Sequence, residues 1–131
     1  MIASSSANLF WSVGSLLGAT GVVCGAFGAH GLKKMLLKDP DSQKLIESWK
    51  TASQYQIGHA MVLLATSIRM RQVPNASSLA GWLFVTGIVG FSGSIYCLVM
   101  DRKKRISKVL GPVTPIGGMF LIAGWAALAF M

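Results

Sequence analysis

A tyrosine, a glutamine and a histidine fall close together in "QYQIGHAM", at Tyr55, Gln56 and His59, and a second histidine, His30, closes a glycine-rich apolar run. Residues three or four apart share a helix face, so Tyr55, Gln56 and His59 would form one polar stripe. Four chemistries suit it. The leading one is structural: His59 donates a hydrogen bond to a carbonyl left open by glycines on a neighbouring helix. A shallow site for a lipid head group or quinone is the second. His30 and His59 together could ligate a haem iron, and an uncharged solute could pass along the stripe. No Ser-His-Asp or Cys-His arrangement and no phosphate loop accompanies these residues, so catalysis has no support in the sequence. Cys24 and Cys97 sit in apolar runs without a metal-ligand motif and behave as small apolar residues. The expectation is therefore no enzyme, no metal and no cofactor.

The elements that position these residues are apolar. The 131-residue chain is 53% hydrophobic and 12% charged, against about 25% charged in ordinary globular chains. Four stretches carry no Asp, Glu, Lys or Arg: Leu9 to Ala29, Thr51 to Ile68, Leu79 to Met100 and Val109 to Met131. Each matches the roughly 18 residues that mark a transmembrane helix. The predicted fold is all-α: a polytopic bundle of four transmembrane helices in one domain, 1–131, with spans near 9–30, 51–69, 79–100 and 111–131. The second span is the weakest, because Gln54, Gln56 and His59 occupy its first half. The first lacks a basic lead segment and reads as a span, not a cleaved leader. All four acids, Asp39, Asp41, Glu47 and Asp101, lie outside the uncharged stretches, so no carboxylate relay is available for ion coupling.

Charge sets the orientation. Lys33, Lys34, Lys38, Lys44 and Lys50 fall in the first connection and Arg102, Lys103, Lys104, Arg105 and Lys108 in the third, whereas the second has only Arg69 and Arg71. The positive-inside rule puts the first and third connections in the cytoplasm or mitochondrial matrix and both termini on the outer side. The net charge of +8 lacks interleaved stacking aromatics, which argues against nucleic acid. Arg102, Lys103, Lys104 and Arg105 border an apolar span and suit anionic lipid head groups. After Pro40, Asp41 or Ser42 can cap a helix that runs on without a breaker towards Arg69. Its amphipathic start, 42–50, would project from the bilayer, with Leu45, Ile46 and Trp49 exposed at the interface. Pro112 and Pro115 should delay the regular part of the last helix to about Ile116.

Gly14, Gly18, Gly21, Gly25 and Gly28 repeat at spacings of four, three, four and three, a heptad seam made of glycine. Little hydrophobic force drives helices together in lipid, so such a seam is read as a packing groove for another helix. Gly87, Gly90 and Gly93 repeat the idea more loosely.

The stretches "GAFGAHGLK", "WKTASQYQIGHAMVLL", "FSGSIY" and "TPIGGMFLIAGW", in this order, resemble the YgdD-like family of small membrane proteins of unknown function, called transmembrane protein 256 in animals. The resemblance covers about Gly18 to Trp125. Matching positions are Gly25, Gly28, His30, Gly31, Trp49, Tyr55, Gln56, His59, Ser92, Gly93, Tyr96, Pro115, Gly117, Gly118 and Trp125. It implies four membrane helices in a bacterial inner membrane or a mitochondrion, and no known reaction. The chain departs from bacterial members in a longer charged connection between Leu32 and Trp49, the mark of a eukaryotic member with an added contact surface. The functional expectation is a non-catalytic accessory subunit of a larger inner-membrane assembly, a mitochondrial respiratory complex above all, with membrane lipids and other integral subunits as partners. The alternative is a small-solute transporter or a lipid- or quinone-binding protein using the Tyr55–Gln56–His59 stripe.

Overall fold

The computed structural model describes residues 2–131, with side chains from residue 5 onward. Four helical rods account for it. The first, α1, runs Ile2–Phe27, passes through one π turn at Gly28–Leu32 and ends with Lys33–Met35. The second, α2, is Ser42–Gln72. The third, α3, joins Leu79–Ile88 to Ser94–Met100 through a π turn at Val89–Gly93. The fourth, α4, is Val113–Ala129, preceded by a single turn at Ser107–Leu110. The chain is a multi-pass membrane protein by composition: Ser5–Met35, Leu79–Met100 and Ser107–Ala129 are each long and apolar enough to cross a bilayer. α2 is long enough at 31 residues but is not among them. Polar residues replace apolar ones along the face that α2 buries.

Each rod runs antiparallel to the next. A methyl group added at Gly14 would meet Leu64, and one at Gly28 would meet Trp49, which sets α1 against α2 over most of their length. On the other side, Gly87 faces Leu121, and a Cβ added at Gly90 would stand 3.1 Å from the Cα of Gly117, so α3 and α4 approach backbone to backbone. Two apolar cores result. Phe10, Leu63, Phe84, Ile88 and Leu121 fill the end near the chain termini. Leu32, Leu36, Trp49 and Val99 fill the opposite end. The layer between them is polar.

Several boundaries differ from the sequence expectation. The first helix extends to Met35, so the long charged connection shrinks to residues 36–41; Lys33 and Lys34 ride on α1, and Lys44 and Lys50 on α2. Asp41 occupies the N-cap of α2 without a side-chain cap; instead the Asp39 carboxylate accepts the backbone N–H of Asp41 at 2.9 Å. The last helix begins at Val113, not Ile116. Pro115 is its third residue, where no intrahelical partner is lost because the first four N–H groups have none. Trp49 is 7% exposed, not displayed at the interface.

Candidate functional site

Gln56 is the centre of the polar layer. Its Nε2 donates to the backbone carbonyl of Leu17 at 2.8 Å and to Thr20 Oγ1 at 2.9 Å, both on α1. Its Oε1 accepts the Tyr96 hydroxyl of α3 at 2.9 Å. One side chain thereby ties three helices. Gly21 makes this approach possible: a Cβ there would stand 2.7 Å from Ile57 Cγ1 and 3.4 Å from Gln56 Cγ. Beside it, the Trp49 indole lies against Gly28, donates its N–H to the Cys24 carbonyl at 2.7 Å, and packs on the Tyr96 ring at 4.5 Å. Gly28 opens the π turn of α1. The π turn of α3 contains Ser92, which is buried and donates to the Ala52 carbonyl of α2 at 2.8 Å. Such one-turn departures from α geometry recur at functional sites.

Tyr55 and His59 face elsewhere. The His59 Nδ1 lies 2.8 Å from the Tyr55 carbonyl on its own helix, and Trp125 of α4 donates its indole N–H to His59 Nε2 at 3.2 Å. Those two contacts fix the neutral tautomer: Nδ1 carries the hydrogen and Nε2 accepts. Tyr55 stacks on His59 and packs against Phe91, and Phe84 meets the ring of Trp125 edge on at 5.8 Å. The expected single stripe is therefore two sites. Successive helical residues point about 100° apart at 3.6 residues per turn, so Gln56 turns to α1 while Tyr55 and His59 turn to α3 and α4. The carbonyl on the glycine-bearing helix is bound by Gln56, not by His59.

His30 is exposed, within the π turn at the far end of α1. That turn lies beside Trp49, and ten residues of helix, about 15 Å, separate Trp49 from His59. The structure does not bring the two histidines together on one ligand. Gly14, Gly18, Gly21, Gly25 and Gly28 all face α2, meeting Leu64, Ala60, Ile57, Ser53 and Trp49 in turn. Of the basic group, Arg102 is committed within the protein: it pairs with Asp39 at 2.9 Å and donates to the Met35 carbonyl at 3.1 Å. Lys103, Lys104 and Arg105 are exposed.

A family described as "protein of unknown function (DUF423)" matches residues 24–118. The chain belongs to this family. It is 39% identical over 119 residues to a UPF0382 membrane protein of Schizosaccharomyces pombe, covering 90% of this chain and 96% of that one. A UPF0382 membrane protein of Staphylococcus aureus (strain bovine RF122) is 39% identical over 121 residues, 92% of each chain. The UPF0382 membrane protein YwdK of Bacillus subtilis is 37% identical over 120 residues, 90% of each. No solved structure matches. The DUF423 and UPF0382 names, not the YgdD-like name, are what these similarities supply, and they carry no activity.

Within this DUF423 chain, residues that first carried the resemblance now meet in space. Gly28 receives Trp49, Trp49 packs on Tyr96, Tyr96 donates to Gln56, and His59 accepts from Trp125. Tyr96 was not singled out for chemistry from the sequence. Its signal was present: one tyrosine in an apolar span needs a partner for its hydroxyl, and Gln56 is the side chain of the right depth.

Proposed function

We propose that the protein is a non-catalytic accessory subunit of a larger membrane assembly, a respiratory complex of the mitochondrial inner membrane or its bacterial counterpart. One observation carries the proposal. Gln56 and His59, two of the polar side chains that could have served a ligand or a solute, are engaged inside the bundle, and among the described residues no buried side-chain nitrogen or oxygen lacks a partner. With Gln56 and His59 so engaged, two of the three stripe residues are not free to line a solute path. What remains for interaction is the outside. Leu16, Val22, Val23 and Ile122 are all more than 60% exposed, and such faces suit lipid and neighbouring helices alike.

We further propose that all four rods span the membrane. Two facts support this. α2 lies along α1 from the Ser67–Ala7 hydrogen bond to the Trp49–Cys24 bond, so it crosses the same thickness, and its polar Ser53, Gln56, Thr66 and Ser67 are buried. Arg102 also draws the third connection onto the first, so their basic residues share one end. By the positive-inside rule that end faces matrix or cytoplasm and the termini face outward. The relatives in a fungus and in bacteria are membrane proteins by name.

Deletion of the gene tests the function. One large membrane complex should fall in amount or shift to smaller mass and return on complementation. Unchanged complexes alongside a lost solute uptake would refute it.

A further inference from the structure

A cleft of ≈ 670 Å³, within the roughly 300–1,000 Å³ typical of ligand sites, is lined by α1 and α2 near the first connection. Its floor is Gly25, Gly28 and Ala29 of α1 with Ile46 and Trp49 of α2. Its mouth carries Lys33, Lys50, Glu47 and Gln43. From Gln54 to Ser42 the lining follows α2 for about 18 Å, at 1.5 Å per residue. The lining passes from an apolar wall of Gly25, Gly28, Ala29 and Ile46 to a polar and charged rim of Gln43, Glu47, Lys33 and Lys50. That gradient is the shape of an amphiphile.

The sign of its head follows from the pairing. Among the described residues neither Lys33 nor Lys50 forms an ion pair. The single carboxylate nearby, Glu47, accepts from Gln43 at 3.3 Å instead. Two ammonium groups against one carboxylate leave the mouth positive, and a lipid chain on the glycine wall would bury surface that is otherwise open. We propose that this cleft holds one anionic phospholipid, its phosphate between Lys33 and Lys50 and the upper part of one acyl chain along Gly25, Gly28 and Ala29. It stands apart from the basic Lys103–Arg105 segment, which lines no part of the cleft. The site needs only the isolated chain, so it stands or falls independently of the assembly proposed above.

The purified full chain, reconstituted in mixed phosphatidylcholine–phosphatidylglycerol vesicles and extracted in mild detergent, is read by native mass spectrometry. Wild type should retain one phosphatidylglycerol in preference to phosphatidylcholine. Each Lys near an anionic head is worth about a factor of five, so Lys33→Gln with Lys50→Gln should weaken retention about thirty-fold. Lys103→Gln with Lys104→Gln should leave it unchanged. Ala29→Phe, at an exposed position, should displace the chain and lower retention with both lysines intact. Soluble glycerol phosphate should not compete, because the acyl chain is part of the ligand. Equal retention of both lipids, persistence in the Lys33/Lys50 variant, an equal loss in the Lys103/Lys104 variant, or displacement by glycerol phosphate would each overturn the proposal. Retention of a quinone in place of phosphatidylglycerol would overturn it as well.

Discussion

Replacing Gln56 by Leu removes three hydrogen bonds at once: two donated to α1 at 2.8 and 2.9 Å and one accepted from Tyr96 at 2.9 Å. Side-chain hydrogen bonds between membrane helices average about 0.6 kcal/mol, so the loss comes to about 2 kcal/mol. The groups left behind differ in their needs. Thr20 keeps its own bond to the Leu16 carbonyl at 2.9 Å, whereas the Tyr96 hydroxyl loses the acceptor it had. Tyr96→Phe should therefore cost less, about 1 kcal/mol, through the Gln56 Oε1 left unpaired. In the double variant no hydroxyl is stranded, and the two losses should fall short of additive by about 0.6 kcal/mol. Unfolding of the purified protein by titration from mild detergent into dodecyl sulfate, followed by circular dichroism, measures all three. Gln56→Leu within 0.5 kcal/mol of wild type (a threshold of about the size of one bond), or strict additivity in the cycle, would show that the polar layer does not hold the helices together.

The same assay serves the other expectations. Gly28→Ala places a methyl group in the Trp49 indole and should cost about 1–3 kcal/mol, while Gly58→Ala, with nothing within 4 Å, should gain about 0.5–1 kcal/mol from helix propensity; equal effects at the two sites would deny the seam its role. At His59, Gln can still accept from Trp125 and should lose about 1 kcal/mol or less, whereas Leu strands that indole N–H at about 1–3 kcal/mol; a Leu variant as stable as the Gln variant would contradict this. Arg102→Gln breaks a half-exposed ion pair and one bond to the Met35 carbonyl, worth together about 1 kcal/mol at low salt and less at high salt. A salt-independent loss would mean that packing, not charge, is what Arg102 supplies.

Much of the architecture was legible because it depends on short periods. The glycines of α1 repeat every three or four residues, and that spacing alone describes a face. Charge-free lengths marked four spans; three of the rods are long and apolar enough to cross a bilayer, and α2 falls short because Gln, Ser and His lie along it, part of them buried against its neighbours. The π turns were invisible. Each inserts one residue into a helix without a proline or a charge to announce it; Gly28 opens the first, and the second carries Ser92, which donates to the Ala52 carbonyl. Trp49 was misplaced for a related reason: the amphipathic start of α2 suggests the interface, yet the hole that accepts its indole is the last glycine of a seam on another helix. The polar stripe was read correctly as neighbours in sequence and wrongly as one surface. A broad polar arc is divided by whichever helices pack on it, and sequence periodicity does not say where they lie.

The most direct measurement is the size of the particle that contains the native chain. Membranes solubilised in mild detergent, resolved by native electrophoresis and probed for this protein, should show it migrating within a large complex and returning to the small bundle only when that complex is dissociated. Migration as a small, independent particle under every mild condition would contradict a life as an accessory subunit.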